Sequence, residues 1–253
     1  ECKGAVFSYE PTANGTFILF KDASAGSLWF SSLEDAFITS SDSTYTKTAV
    51  ELYDVRGYSM PNLVITNNVS VGGVNTWTDG TGSIGVHIKG RELFTANNTY
   101  ISADLPIRIS QCPNTALLSF DVSLFTDTIL IANGNPKVVI DDGVILTQSG
   151  FKGRLSMNRG TSGIYWHSST AASVSNGLFI ENIRSEQEED PTAYVFDIEH
   201  TGNGLQSLSV THAYVGNTNG MRLRGCDSVA LENYYHVITG TVALNVDSTV
   251  SSI

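Results

Sequence analysis

Cysteine is scarce and scattered. Cys2, Cys112 and Cys226 stand far apart, in no Cys-x-x-Cys pair and in no Cys/His cluster. That spacing supports neither a zinc site nor a dense disulfide framework, and buried free thiols are the expected state. Long apolar runs are also missing. Stretches such as Phe17-Ile18-Leu19-Phe20 are far too short to cross a bilayer, so no membrane insertion is expected. Charged residues make up only 15% of the chain, and the 14 basic residues form no patch against 25 acidic ones, for a formal charge of -11. Nucleic-acid binding is driven by phosphate neutralisation and is therefore not expected. An acidic surface of this kind mainly keeps a protein soluble. The chain is too poor in Lys, Glu and Ala for a helical bundle. It opens on Glu1, with neither an initiator Met nor a signal-peptide pattern, and is expected to be processed or cut from something longer.

What is present points to many short strands. Hydrophobic residues reach 41%, too many for a disordered chain, and 23 glycines with abundant Ser, Thr and Asn supply turns. Residues 1 to about 30 mix aromatics with Gly and Ser and show no period. The one helix signal follows: Ser31 stands three residues before Glu34, the spacing of a capping box, and predicts a short helix over Leu33–Phe37. From about residue 48 the chain reads as strand, turn, strand. Leu63–Ile65, Ile84–Ile88, Ile107–Ile109, Leu117–Phe120, Ile129–Ile131, Val138–Ile140 and Val144–Leu146 are brief apolar segments, most of them bounded by Gly, Asn, Asp or Pro. This divides the chain into a lead-in and cap over 1–47 and a body over 48–253.

The decisive feature is an internal repeat. Residues 207–227 align without a gap on 228–248, a shift of 21 residues. Leu208 then meets Val229, Val210 meets Leu231, Tyr214 meets Tyr235, Met221 meets Val242 and Leu223 meets Leu244. Apolar positions superpose, and the polar residues between them alternate outward. The preceding segment fits the same frame, with Leu178–Glu181 on Leu208–Thr211 and Phe196–Glu199 on Met221–Arg224. Its extra residues, Ser185–Pro191, are expected to project as an acidic loop. Variable units of this size fit an all-β, right-handed parallel β-helix (a solenoid) with the Leu33–Phe37 helix as its N-terminal cap. A propeller blade would be longer and a leucine-rich repeat would carry a fixed signature.

An aromatic-rich lead-in, a short helix, the segment Asn62–Val71, and coils with occasional insertions resemble the β-helix body of bacteriophage tailspike proteins. The broader pectate-lyase-like β-helices are similar too. The resemblance covers roughly residues 31 to 250 and rests on pattern. It implies a virion-associated, extracellular homotrimer, attached to other tail proteins, that binds and in many cases cleaves bacterial surface polysaccharide. Arg-x-x-x-Arg and Trp-Ile-Asp-His signatures are absent, so calcium-dependent pectate lysis is not implied. Two other functions stay open: a non-catalytic structural spike, and a secreted bacterial polysaccharide lyase or hydrolase.

Glycoside hydrolysis needs two carboxyl groups flanking the scissile bond. Glu181 and Glu232 fall in one outward column with Thr211 between them, about 9.6 Å apart at two coil spacings, near the separation used for inversion. Asp197 and Glu199 alternate with Phe196 and Ile198, so both face outward, and Arg222 and Arg224 occupy the same columns one coil on. These four could form stabilising cross-strand pairs, or a surface where carboxylates act on a glycan and the arginines bind acidic sugars. Trp166 and His167, in Tyr165-Trp166-His167, are candidate substrate-binding residues, because sugar faces stack on exposed rings. His167 and His212 are isolated in sequence, and spacing alone assembles no Ser/His/Asp set. Tyr214 over Tyr235, and His212 over Asn233, are expected to stack. No metal or cofactor is expected.

Overall fold

The computed structural model describes residues 2–21, 29–53, 55–67, 70–71, 74–89, 92–110, 119–121, 129–132, 138–142, 144–147, 149–152, 154–157, 163–169, 177–181, 183–187, 190–201, 205–216, 218–237 and 244–246. Every described strand pairing is parallel except one antiparallel hairpin, Ser70–Val71 with Val74–Asn75. There is no helix among the described residues.

The strands fall into a repeating order. The first sheet holds Cys2–Lys3, Trp29–Glu34, Arg56–Pro61, Glu92–Asn97, Ser119–Asp121 and Ile145–Thr147. A fourth sheet then takes its place in the order, with Ser149–Lys152, Leu178–Glu181, Leu205–Thr211 and Cys226–Glu232. The second sheet has nine strands, from Val6–Ser8 and Phe37–Thr39 to Tyr214–Gly216 and Tyr235–Val237. The third also has nine, including Gly15–Lys21, Lys47–Tyr53, Ile84–Lys89, Leu105–Ile109, Val138–Ile140, Ile164–Ser168, Asp190–His200, Thr218–Arg224 and Leu244–Val246. The chain thus visits first, second and third sheet in turn for five rounds. It passes through both the first and the fourth in the sixth, and takes the fourth in place of the first in the last three, each strand pairing with its counterpart in the neighbouring round. This order is compatible with a β-helix.

Alternation makes the core. On the third sheet Val50, Val86, Ile107, Val138, Ile164, Phe196 and Met221 form one inward column, and Leu52, Ile88, Ile109, Ile140, Trp166, Ile198 and Leu223 the next. All are buried. Burial of each such side chain is worth about 1.5–3 kcal/mol relative to exposure. Cys226 is buried, and its thiol donates to the Arg224 carbonyl oxygen at 3.8 Å. Cys112 and the side chain of Cys2 lie outside the described residues.

The corner between the first and second sheets recurs in left-handed backbone. Gly4, Asp35, Asn62 and Asn98 have φ of 66, 49, 56 and 48°, and His212 and Asn233 repeat this where the fourth sheet meets the second, at 53 and 52°. Short polar side chains tolerate that conformation best. Their side chains form a ladder: Asn62 Nδ2 donates to Asp35 Oδ1 at 2.6 Å, and Asn98 Nδ2 to Asn62 Oδ1 at 2.7 Å. Asn233 Nδ2 lies 3.2 Å from His212 Nε2, and Tyr214 stacks on Tyr235 with centroids 5.4 Å apart, as expected from the repeat.

Four expectations require correction. The capping-box segment is strand, corner, strand: Trp29–Glu34, Asp35, Phe37–Thr39. Pairing of Leu33 with Cys2 and of Ser31 with Tyr58 outweighs a local cap worth about 1 kcal/mol, and Leu33, Ala36 and Ile38 are buried. Residues before 48 join the same sheets as those after, and Lys47–Tyr53 bridges the expected boundary, paired with Gly15–Lys21 and Ile84–Lys89. The repeat keeps its 21-residue register through Val237; Met221 then pairs with Leu244 and Leu223 with Val246, two residues beyond the aligned positions. A slip of two preserves which side chains face inward. Finally, Ser185–Gln187 and Asp190–Pro191 are strand, and the extra residues make an irregularity between Asp190 and Tyr194 opposite Thr218 and Asn219. Glu188 and Glu189 lie outside the described residues.

Candidate functional site on the third sheet

The outward positions of the third sheet gather ionisable groups from successive strands. Tyr165, Asp197, Arg222 and Asn245 are in register, and His167, Glu199 and Arg224 form the neighbouring column. Asp197 is only 5% exposed. Arg222 grips it side-on, Nε to Oδ1 at 2.8 Å and Nη2 to Oδ2 at 2.6 Å. His167 Nε2 sits 2.8 Å from the same Oδ1, while its Nδ1 lies 3.1 Å from the Tyr165 hydroxyl and its ring stacks on Tyr165 at 4.2 Å. The guanidinium of Arg222 also lies over the Tyr194 ring at 5.1 Å, and its hydrogen bonds to Asp197 hold it above the ordinary arginine pKa. Arg224 Nη1 donates to Glu199 Oε2 at 3.3 Å, in a more exposed pair.

A second group lies nearer the N-terminus of the same face. Glu51, His87 and Arg108 are in register on three successive strands. Glu51 accepts from Thr16 Oγ1 and Lys89 Nζ, each at 2.9 Å. Burial pushes the Glu51 carboxyl up, but these hydrogen bonds outweigh it and hold the group below the usual carboxylate range. His87 Nε2 is 2.8 Å from Ser110 Oγ, which donates to Asp141 Oδ2 at 2.6 Å, and Arg108 closes on Asp141 through Nε and Nη2. Burial lowers the His87 pKa to about 4. The ring is therefore neutral near pH 7.

Sequence spacing did not find this Ser/His/Asp group, because its members come from three rounds of unequal length. Its order is nonetheless wrong for a nucleophilic triad. There the imidazole stands between hydroxyl and carboxylate; here the hydroxyl stands between imidazole and carboxylate. The Ser110 proton is committed to Asp141, so the Nε2–H of His87 must donate to Ser110 Oγ. The imidazole is then a donor to the serine and does not activate it, and the carboxylate that accepts the hydroxyl proton is paired with Arg108.

The structure brings Asp197, Glu199, Arg222, Arg224 and His167 together on one face. It places Glu181 and Glu232 elsewhere. They share a fourth-sheet column with Thr211 between them, as expected, at the corner leading to the second sheet. The third sheet is the side opposite that corner. Trp166 is not a surface platform: it is fully buried, in register with Ile140 and Ile198, and the edge of its ring meets His200 at 4.2 Å. Parity dictates this, since Trp166 alternates with the outward Tyr165 and His167. Among the described residues no group of His, Cys, Asp or Glu is placed to hold a metal ion.

No family model, curated protein or solved structure matches the chain.

Proposed function

We propose that this chain is a right-handed parallel β-helix of the tailspike type, a virion-associated extracellular protein that binds bacterial surface polysaccharide along its third sheet. Right-handedness is the hand that parallel crossover connections adopt almost without exception. One observation carries the binding reading: the outward side chains of the third sheet form a run of planar hydrogen-bonding groups and aromatic rings over successive strands. Tyr165, His167, Arg222 and Tyr194 stand within one such patch. Strands about 4.8 Å apart repeat on a length comparable to one sugar unit. Guanidinium, carboxylate and ring faces are the groups that recognise hydroxyls and sugar faces.

Binding is favoured over cleavage. A glycosidase needs one carboxyl group that gives a proton and a second that attacks or activates water. Both oxygens of Asp197 already accept from Arg222, and Glu199 accepts from Arg224. Glu181, the other candidate acid, is on the opposite side. Other tail proteins would be its neighbours in the virion.

The test uses purified capsular and O-antigen polysaccharides from a bacterial panel, immobilised for binding and incubated for reducing-end release. Saturable binding of at least one glycan without new reducing ends supports the reading. Release lost on Asp197→Asn or Glu199→Gln would make the protein a depolymerase. Absence of binding to every glycan by folded protein would leave a structural spike.

A further inference from the structure

The two groups on the third sheet are parts of one continuous face. Strand pairing links Glu51, His87, Arg108, Tyr165, Asp197 and Arg222 into a single outward column, with Val139 between Arg108 and Tyr165. A second column, two residues further along each strand, holds Lys89, Asp141, His167, Glu199 and Arg224. Charge along both columns is matched pair by pair across neighbouring strands. Lys89 donates to Glu51, Arg108 to Asp141, Arg222 to Asp197 and Arg224 to Glu199. Lys21, at the first-strand end of the second column, lies over the Tyr53 ring at 5.1 Å. Among the described residues, every carboxylate of this face is therefore held by a cation of the same face.

We infer that the ligand of this face is a neutral polysaccharide, one whose repeat carries no uronic acid, sialic acid or phosphate. Neutral recognition presupposes the glycan-binding function proposed above and specifies the charge class of its ligand. Three observations select that class. First, an anion receptor offers the paired edge of a guanidinium to its ligand. Here that edge of Arg222 is taken up by Asp197 at 2.8 and 2.6 Å, and that of Arg108 by Asp141 at 3.1 and 3.0 Å. A sugar carboxylate would have to displace these partners. Otherwise it would lie beside the carboxylates of Glu199 and Asp141, whose side chains are 38% and 25% exposed. Like charges that close disfavour each other.

Second, the field of the whole chain opposes a polyanion. The two columns hold five described cations against four described carboxylates, a net of +1, so the rest of a chain at -11 carries -12. That excess repels an acidic chain over a distance of about 10 Å at 0.1 M salt, while a neutral one approaches freely. Third, what the pairs leave available suits hydroxyl groups. A sugar hydroxyl both donates and accepts, and a guanidinium beside a part-exposed carboxylate offers both functions at once. The rings of Tyr165, His167 and Tyr194 add apolar faces to the same patch. Binding of this kind makes no new ion pair, and its affinity is insensitive to salt.

Titration of the whole chain against immobilised bacterial polysaccharides of known composition, neutral and acidic, at about 20 and about 300 mM NaCl tests it. The expected result is saturable binding of at least one neutral polysaccharide, with an affinity constant to within about two-fold between the two salts. Acidic polysaccharides should bind at least about ten-fold more weakly at the lower salt. Glu199→Gln unpairs Arg224 in the more exposed of the pairs. It should cut the preference for neutral over acidic polysaccharide by at least about three-fold, with circular dichroism confirming the fold. Tightest binding of an acidic polysaccharide, lost about ten-fold or more as salt rises, overturns neutral recognition and makes the arginines anion receptors. A preference that Glu199→Gln leaves unmoved overturns charge pairing as its cause. Failure of folded protein to bind any polysaccharide at either salt would instead remove the glycan-binding function itself, and neutral recognition with it.

Discussion

Arg222 lies one strand beyond Asp197 and holds both of its carboxylate oxygens, with contacts of 2.8 and 2.6 Å. The carboxylate is nearly buried while the guanidinium is about a quarter exposed, so the arginine both neutralises Asp197 and roofs it. Removing it strands a buried charge, with His167 as the remaining partner. Arg222→Ala should lower unfolding stability by about 2–4 kcal/mol, read from urea denaturation midpoints. Asp197→Asn combined with Arg222→Ala should recover part of that loss, because no uncompensated charge remains. Equal losses in the single and the double variant would mean that packing of Arg222 on Tyr194, and not the ion pair, is what stabilises the face.

How much of this was legible in the sequence depended on parity. Phe196, Asp197, Ile198 and Glu199 alternate cleanly, and so do Met221, Arg222, Leu223 and Arg224, which was enough to place both carboxylates over both arginines. The same rule puts Trp166 inside, between the outward Tyr165 and His167, against the expectation drawn from the stacking of sugar faces on exposed rings. The group of His87, Ser110 and Asp141 was invisible for a different reason. Unequal insertions separate its members, and only strand pairing brings them together. The first round was missed because its strands Cys2–Lys3 and Val6–Ser8 are too short to show a period. The capping box misled because Ser31 and Glu34 are compatible with helix and with a strand whose Leu33 points inward. Pairing on both sides decides such a case, and pairing is not local information.

The corner ladder makes a separate, local prediction. Asn62 sits at φ 56° with its side chain bonded to the residues before and after it in the stack. A β-branched residue there meets a backbone it cannot easily adopt. Asn62→Val should cost about 1–3 kcal/mol, while Asn62→Gly, which relieves the backbone but loses exposed hydrogen bonds, should cost well under half as much. Thermal midpoints of the two variants check the order, and a glycine variant as unstable as the valine one would shift the weight to the hydrogen bonds.

Two histidines should make the protein acid-sensitive. His87 and His200 are buried, and burial lowers each pKa from 6.5 to about 4. The folded state binds the proton less readily than the unfolded state, so acid favours unfolding. The contribution is complete above pH 6.5 and is lost as pH falls toward about 4. Each histidine accounts for at most roughly 3 kcal/mol across that window. Denaturation midpoints between neutral and acidic pH should fall accordingly. His200→Phe, which cannot take up a proton, should flatten the slope, and an unchanged slope in that variant would remove His200 from the account. Carboxylates such as Glu51, held below the usual range by their hydrogen bonds, add their own loss only at lower pH.

The last prediction separates the two carboxylate sets by the face they occupy. If a glycan lies along the third sheet, the groups that meet it are those of the Tyr165–His167–Asp197–Arg222 patch. Glu181 and Glu232 belong to the fourth sheet, at the corner away from it. His167→Ala removes a ring stacked on Tyr165 and a partner of Asp197. It should weaken binding of any recognised polysaccharide by about ten-fold, the effect of losing one good polar and stacking contact. Glu181→Gln and Glu232→Gln should leave the affinity within about two-fold, since neither touches the patch. Titration of the three folded variants against one bound polysaccharide decides it. The opposite pattern, loss at Glu181 or Glu232 and none at His167, would move the binding surface to the fourth sheet and return those two acids, at their spacing of two strands, to the position of candidate catalytic pair.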